Sequence, residues 1–164
     1  MSSGSIRPLA AAAFALLVAF ALPALAQGPT PFANLHGNWT GNGTITLTSG
    51  ATERIRCRAK YKVENADRNM QQELRCASDS YKFEVNSTID YNAGSVYGTW
   101  IEITRNVSGA VNGTAAGNQI EARVAGGPFS AALSLTTTAH AQMVTIRPTG
   151  TDVTAVTISL QRSR

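Results

Sequence analysis

Residues 53–77 read ERIRCRAKYKVENADRNMQQELRCA, and this stretch decides the fold. From Arg54 to Val63 the side chains alternate without a miss. Arg54, Arg56, Arg58, Lys60 and Lys62 fall on one side, and Ile55, Cys57, Ala59, Tyr61 and Val63 on the other. A period of two marks a strand with one buried and one wet face. Met70 to Cys76 repeats the pattern, with Met70, Leu74 and Cys76 on its apolar side. Folding the two strands about Ala66 and Asp67 sets Cys57 against Cys76, Ala59 against Leu74 and Val63 against Met70. The same register sets Lys60 against Glu73 on the wet face, an opposite-charge cross-strand pair. A Cys57–Cys76 disulfide is therefore expected, and closing that loop stabilises the fold by about 3 kcal/mol in the chain-entropy account. The competing reading is two buried free thiols in a reducing compartment.

Residues 1–26 read as a cleaved signal peptide. Arg7 supplies the positive start, Leu9 to Leu22 is an apolar run, Pro23 breaks it, and Ala24-Leu25-Ala26 is an A-x-A site. The run is shorter than the ~20 residues that span a bilayer, which argues against an anchor. No Cys follows it to carry a lipid, and no later segment is apolar enough to span. Cleavage before Gln27 places the protein in the periplasm or outside the cell, where two cysteines suit a bridge. Residues 27–35, with Pro29 and Pro31, read as a flexible lead, and residues 36–164 as one domain.

Beyond the signal the chain reads as all-β. Ten strand candidates follow one another: Asn38–Thr48, Arg54–Val63, Met70–Ala77, Tyr81–Thr88, Ser95–Thr104, Val107–Thr114, Gln119–Val124, Phe129–Thr136, Gln142–Arg147 and Val153–Gln161. Gly-, Asn- and Ser-rich turns separate them, and each is too short for a parallel crossover. The expectation is an antiparallel meander of about 8–10 strands closed into a barrel, with a β-sandwich as the alternative. Tyr81, Phe83 and Val85 point one way in their strand, and Val156, Ile158 and Leu160 in theirs. Between Met143 and Val144 the pattern gives no choice.

The formal charge is +4, and +3 once Arg7 leaves with the signal. Its basic residues cluster at Arg54 to Lys62. No aromatic is interleaved with those cations on their face, which argues against a nucleic-acid reader. The bland reading is a solvated face whose cations discourage edge-to-edge pairing. The sharper one is an anionic partner surface, such as acidic envelope polysaccharide or lipid headgroups.

The first strand opens Gly37-Asn38-Trp39-Thr40-Gly41-Asn42-Gly43, and the last ends Leu160-Gln161-Arg162. A G-x-W on the opening strand with an Arg on the closing strand resembles the calycins, the lipocalin-like barrels. The resemblance implies that Trp39, beside Gly37, plugs one barrel end and that Arg162 (or Arg164) packs over it. Arg over Trp gains about 0.5–2 kcal/mol of cation–π energy. The longer form, G-x-W-x-G-x-G, is also similar to the nitrobindins, haem-binding barrels with a single axial His. That likeness would make His36 or His140 a haem ligand, although the surroundings of neither match the family's ligand motif. A second G-x-W occurs at Gly98-Thr99-Trp100, where Trp100 reads as a core or rim aromatic.

No catalytic constellation stands out. Two histidines and no G-x-S-x-G elbow do not make a nucleophile triad, and two distant His with two oxidised Cys do not make a zinc site. Glu102 shares a face with Trp100 and is the one acid that points inward, while Glu84 alternates outward. The chain is accordingly expected not to be an enzyme, with no cofactor and no metal.

Two functions remain. The first is a barrel whose lumen binds a small apolar ligand, with Ile45, Leu47, Tyr61, Phe83, Trp100 and Ile158 as lining and Trp39 and Glu102 among the binding residues. The second is an envelope protein that binds another protein and has a filled core. For that reading the chain resembles the periplasmic metalloprotease inhibitors in export, barrel type, an early G-x-W and one disulfide. Residues 27–35 would have to serve as their inhibitory trunk. The Gly- and Ala-rich segment Val107–Ala125 either leaves room inside or marks mobile edge strands.

Overall fold

A computed structural model describes residues 28–163; the expected signal peptide, residues 1–26, lies outside them. The described residues form β1 (Gly37–Leu47), β2 (Thr52–Glu64), β3 (Asn69–Ala77), β4 (Lys82–Asn92), β5 (Ser95–Glu102), β6 (Val107–Ala116), β7 (Gln119–Gly126), β8 (Phe129–Thr137), β9 (Ala141–Thr149) and β10 (Val153–Arg162). Each strand pairs antiparallel with the next, and β10 returns to pair with β1. The sheet is a closed up-and-down barrel of ten strands, so the sandwich alternative is discarded. Closure leaves no edge strand.

The β2–β3 hairpin adopts the register that its alternation dictates: Cys57 faces Cys76, Ala59 faces Leu74, Lys60 faces Glu73 and Val63 faces Met70. The Cys57–Cys76 disulfide is formed, and neither cysteine is free. Such a bond belongs to an oxidising compartment outside the cytoplasm. The turn between the strands puts Asn65, Ala66 and Asp67 all at positive φ (53°, 53° and 61°). Asn and Asp tolerate that region better than Ala66 does. Tyr91 N–H donates to the Arg68 carbonyl (2.8 Å) and ties the turn to β4.

The small residues of β6 have a different cause from either expected one. A Cβ added at Gly109 would lie 1.8 Å from the Ala125 carbonyl oxygen, and one at Gly113 2.2 Å from that of Glu121. Glycine is needed there because β7 crosses too close for any side chain. In a barrel without edges these strands cannot be mobile edges.

One barrel end is sealed by both ends of the described chain. Residues 31–35 form turns, with Leu35 N–H donating to the Phe32 carbonyl (2.9 Å). Phe32 and Leu35 are 0% exposed, and Phe32 meets Tyr91 edge-on at 6.3 Å. Trp39 is also fully buried, and its Nε1–H donates to the Leu35 carbonyl (2.8 Å). The Arg162 guanidinium lies over the Trp39 ring, 4.5 Å from its centroid. It donates to the Ala139 carbonyl (2.9 Å) and to the carbonyls of Asn34 and His36. Gly37, at φ +116°, passes beneath it where a Cβ would meet Arg162 Nη1 at 3.2 Å. Two large apolar side chains of this segment thus leave water for the barrel end, where they form a plug. A segment buried in this way is not a free inhibitory trunk.

Candidate functional site

Alternation in ten strands sends one apolar side chain in two toward the barrel axis, and these do not fill it. The lumen holds a cavity of about 480 Å3, within the range of small-molecule sites. Ile45, Leu74, Val85, Val124, Leu133, Ile146 and Val156 wall its middle, and Tyr81, Phe83, Phe129 and Val153 ring the end opposite the plug. Phe32 closes its floor. Trp100 meets Phe129 edge to face at 5.5 Å.

A polar row crosses this apolar wall. Tyr61, Gln72, Ser87 and Trp100 are successive cross-strand partners on β2, β3, β4 and β5, and all four line the cavity. Ser87 Oγ donates to Gln72 Oε1 (2.9 Å), Gln72 Nε2 donates to the Tyr61 hydroxyl (3.2 Å), and that hydroxyl donates to Gln142 Oε1 (2.8 Å). Gln142 Nε2 reaches Thr137 Oγ1 at 3.3 Å. Burial pushes the Tyr61 hydroxyl up to about 12, against its hydrogen bonds to Gln142 and Gln72, so it stays a neutral donor. At the end of the row Trp100 Nε1 is buried without a hydrogen-bond partner.

The mouth carries the charges. Glu102 Oε1 accepts from Glu84 N–H (3.0 Å), Thr104 N–H (3.3 Å) and the Thr104 hydroxyl (2.5 Å); Oε2 accepts from Arg105 N–H (2.7 Å). Burial raises the Glu102 carboxyl, but the bonds from the Thr104 hydroxyl and the three backbone amides outweigh it, and the net shift is downward. Arg105 pairs with the same carboxylate at 3.5 Å. Among the described residues, the charged side chains lining the cavity are Glu102, Arg105 and Asp152, so the lumen has no unpaired cation.

Tyr61, Phe83, Trp100 and Glu102 all lie on the cavity wall, as do Ile45 and Ile158. Trp39 does not: pinned between Leu35 and Arg162, it belongs to the plug. Leu47 packs against the core without lining the cavity. His36 and His140 are exposed at the plugged end, where the His36 and His140 carbonyls accept from Arg162. Neither imidazole reaches the lumen, so the residues present do not fit a haem held there. Among the described residues no group of three His, Cys, Asp or Glu is placed to hold a metal ion, and no helix is long and apolar enough to cross a membrane. Gln72, Ser87, Gln142 and Thr137 escaped the sequence reading. Gln142 shares the parity of Val144, which is buried while Met143 is half-exposed; the local sequence leaves that parity open.

Solved structures of two other proteins share this architecture. An S-type phycobiliprotein lyase, CPES, from Guillardia theta superposes with a TM-score of 0.61 over 81% of this chain and 90% of its own, at 8% identity. Rv2717c from M. tuberculosis does so with a TM-score of 0.56 over 82% of this chain and 94% of its own, at 11% identity. What they share with this chain is the fold, a closed antiparallel barrel. No family model matches the chain, and no curated protein does. One expectation is corrected by these likenesses. Lacking a triad, a zinc set and facing carboxylates, the sequence leads to the expectation of a non-enzyme. A lyase shares the barrel, so the want of such a set in this architecture is no argument against catalysis. At this identity the likeness itself reaches the fold and no further.

Proposed function

We propose that the protein is exported, through cleavage of residues 1–26, and holds a small, neutral, largely apolar molecule in its lumen. The cavity of about 480 Å3 carries this reading. Its wall of aliphatic and aromatic side chains favours an apolar body. Neutrality follows from the mouth: Arg105 is taken by Glu102, and Asp152, in the β9–β10 turn, adds a second negative charge to the lining. A carboxylate ligand would meet no free cation and would lose its hydration. The unpartnered Trp100 Nε1–H favours a ligand that brings one acceptor oxygen, since an unpaired buried donor costs about 1–3 kcal/mol. Tyr61, Phe83 and Trp100 are the side chains assigned to contact, and Glu102 holds the rim in place. A filled-core protein binder is the weaker reading, because the interior is hollow and the plug leaves no free trunk.

The test is a titration with Nile red, a neutral apolar dye, read by quenching of tryptophan emission. The two tryptophans separate cleanly: Trp39 sits in the plug and Trp100 in the lumen wall. Saturable quenching is expected that survives Trp39→Phe and disappears in Trp100→Phe. Ala122→Phe, which pushes a ring into the cavity, should abolish binding while the circular dichroism spectrum stays β-rich. Equal dye binding by Ala122→Phe would overturn the proposal.

A further inference from the structure

The cation row of β2 is left unexplained by the lumen. Arg54, Arg56, Arg58, Lys60 and Lys62 are all exposed on the outer wall, about 7 Å apart along the strand. Protection of a sheet edge cannot be their purpose, because β2 is paired on both sides, to β1 and to β3. Local neutralisation does not account for them either. The ion pairs among the described residues use Lys62, Arg75, Lys82 and Arg105; none uses Arg54, Arg56, Arg58 or Lys60. Arg58 even lies directly opposite Arg75, a like-charge pairing that destabilises a sheet. Charge of one sign gathered against its own repulsion fits a partner of the other sign.

The ground beside the row says which partner. Asn38, Thr40 and Asn42 on β1, then Thr157, Ser159 and Gln161 on β10, are exposed on the same outer wall. Their register puts Thr40 and Asn42 opposite Arg58 and Arg56, with Gln161 and Ser159 one strand further on. A lane of hydroxyl and amide groups thus runs alongside a lane of guanidinium groups. Neither lane offers a Trp, Phe or Leu that would enter a bilayer interface, nor an aromatic on which a base would stack. Guanidinium groups grip carboxylates in paired hydrogen bonds, and hydroxyl and amide groups suit sugar hydroxyls. We propose that the β10–β1–β2 wall binds a linear acidic polysaccharide, with Arg54, Arg56 and Arg58 on its carboxylates and Thr40, Asn42, Ser159 and Gln161 on its hydroxyls.

The experiment measures binding of the purified protein to sodium alginate, a uronate polymer, by calorimetry at low and moderate salt. Neutral dextran, phosphatidylglycerol vesicles and duplex DNA serve as comparison arms. Alginate binding that weakens with salt is expected, and the triple variant Arg54→Gln/Arg56→Gln/Arg58→Gln should lose about tenfold or more in affinity. Arg123→Gln, on β7 and three strands away from β10, should leave alginate affinity within about twofold. Asn42→Ala/Ser159→Ala, which changes no charge, should weaken alginate and leave vesicle retention unchanged. The inference is overturned if alginate is not bound, if Arg123→Gln loses as much as the triple variant, or if vesicles or DNA bind more tightly than alginate. Lumen dye binding is independent of this wall, so loss of one reading leaves the other standing.

Discussion

Arg162→Met tests whether the plug is held by one guanidinium. Methionine keeps an apolar stem and removes the charged head. The head lies 4.5 Å from the Trp39 centroid, a contact of about 0.5–2 kcal/mol. It also donates to the carbonyls of Ala139, Asn34 and His36. Hydrogen bonds from a charged donor contribute about 1.5–3 kcal/mol each. Arg162 is only partly buried, so water replaces much of that, and the three together are set near the value of one. The expected cost is about 3 kcal/mol, which for a domain of this size lowers Tm by roughly 10 °C. The damage should be local first. Amides of residues 33 and 35 should exchange faster than those of β2, because the plug opens before the barrel. A cycle with Trp39→Phe should return a coupling of about 0.5–2 kcal/mol. Scanning calorimetry and hydrogen exchange read both. A Tm within about 2 °C of the parent, with plug amides protected as before, would refute the assignment of Arg162 as the clamp.

Cys57→Ala/Cys76→Ala should cost about 3 kcal/mol in urea unfolding, since the bridge closes a loop with a sequence separation of 19; a loss under about 1 kcal/mol would mean the hairpin is fixed by the sheet alone. Glu102 has a lowered folded-state pKa, so its stabilisation is present above the ordinary carboxyl range and is lost as pH falls through the lower folded value. The stability gap between the parent and Glu102→Gln should therefore narrow from about pH 7 to about pH 3, and a constant gap would show that the carboxylate's charge is not what holds the β5–β6 turn.

The fold was legible because its decisive signals are local. Ile55, Cys57, Ala59 and Tyr61 against Arg54, Arg56, Arg58 and Lys60 state a face and a register within one strand, and the partner strand repeats it. Glycine, asparagine and short connections then leave only a meander. The plug was not legible in this way. Phe32 and Leu35 flank exposed Ala33 and Asn34 in a Pro-bearing turn, a single i, i+3 pair too short to declare an element, and Arg162, far away in sequence, holds the turn over the barrel end. The calycin resemblance placed Trp39 and Arg162 together but said nothing of what lies beneath them. The polar row was hidden for a related reason. Gln72, Ser87 and Gln142 are polar residues at apolar parities, and alternation alone counts each as a defect in the pattern rather than as members of one network.

That network and the plug together give the barrel a direction. Both ends of the described chain close the same end, through Phe32, Leu35, Trp39 and Arg162. The opposite end has only hairpin turns, with Tyr81, Phe83 and Phe129 around the opening. On the proposed reading, a ligand enters past aromatics and Glu102, and meets the row of Trp100, Ser87, Gln72 and Tyr61 only after its leading part is inside. Moving a hydrogen-bonding group past the aromatic rim costs desolvation until that row satisfies it, so on the same reading the row favours a molecule whose polar atom reaches it. Tyr61 cannot swing out to meet the ligand without abandoning Gln142, which is itself buried and held by Thr137. The row is thus a fixed template, and the one donor it leaves open, on Trp100, is where a matching acceptor gains most.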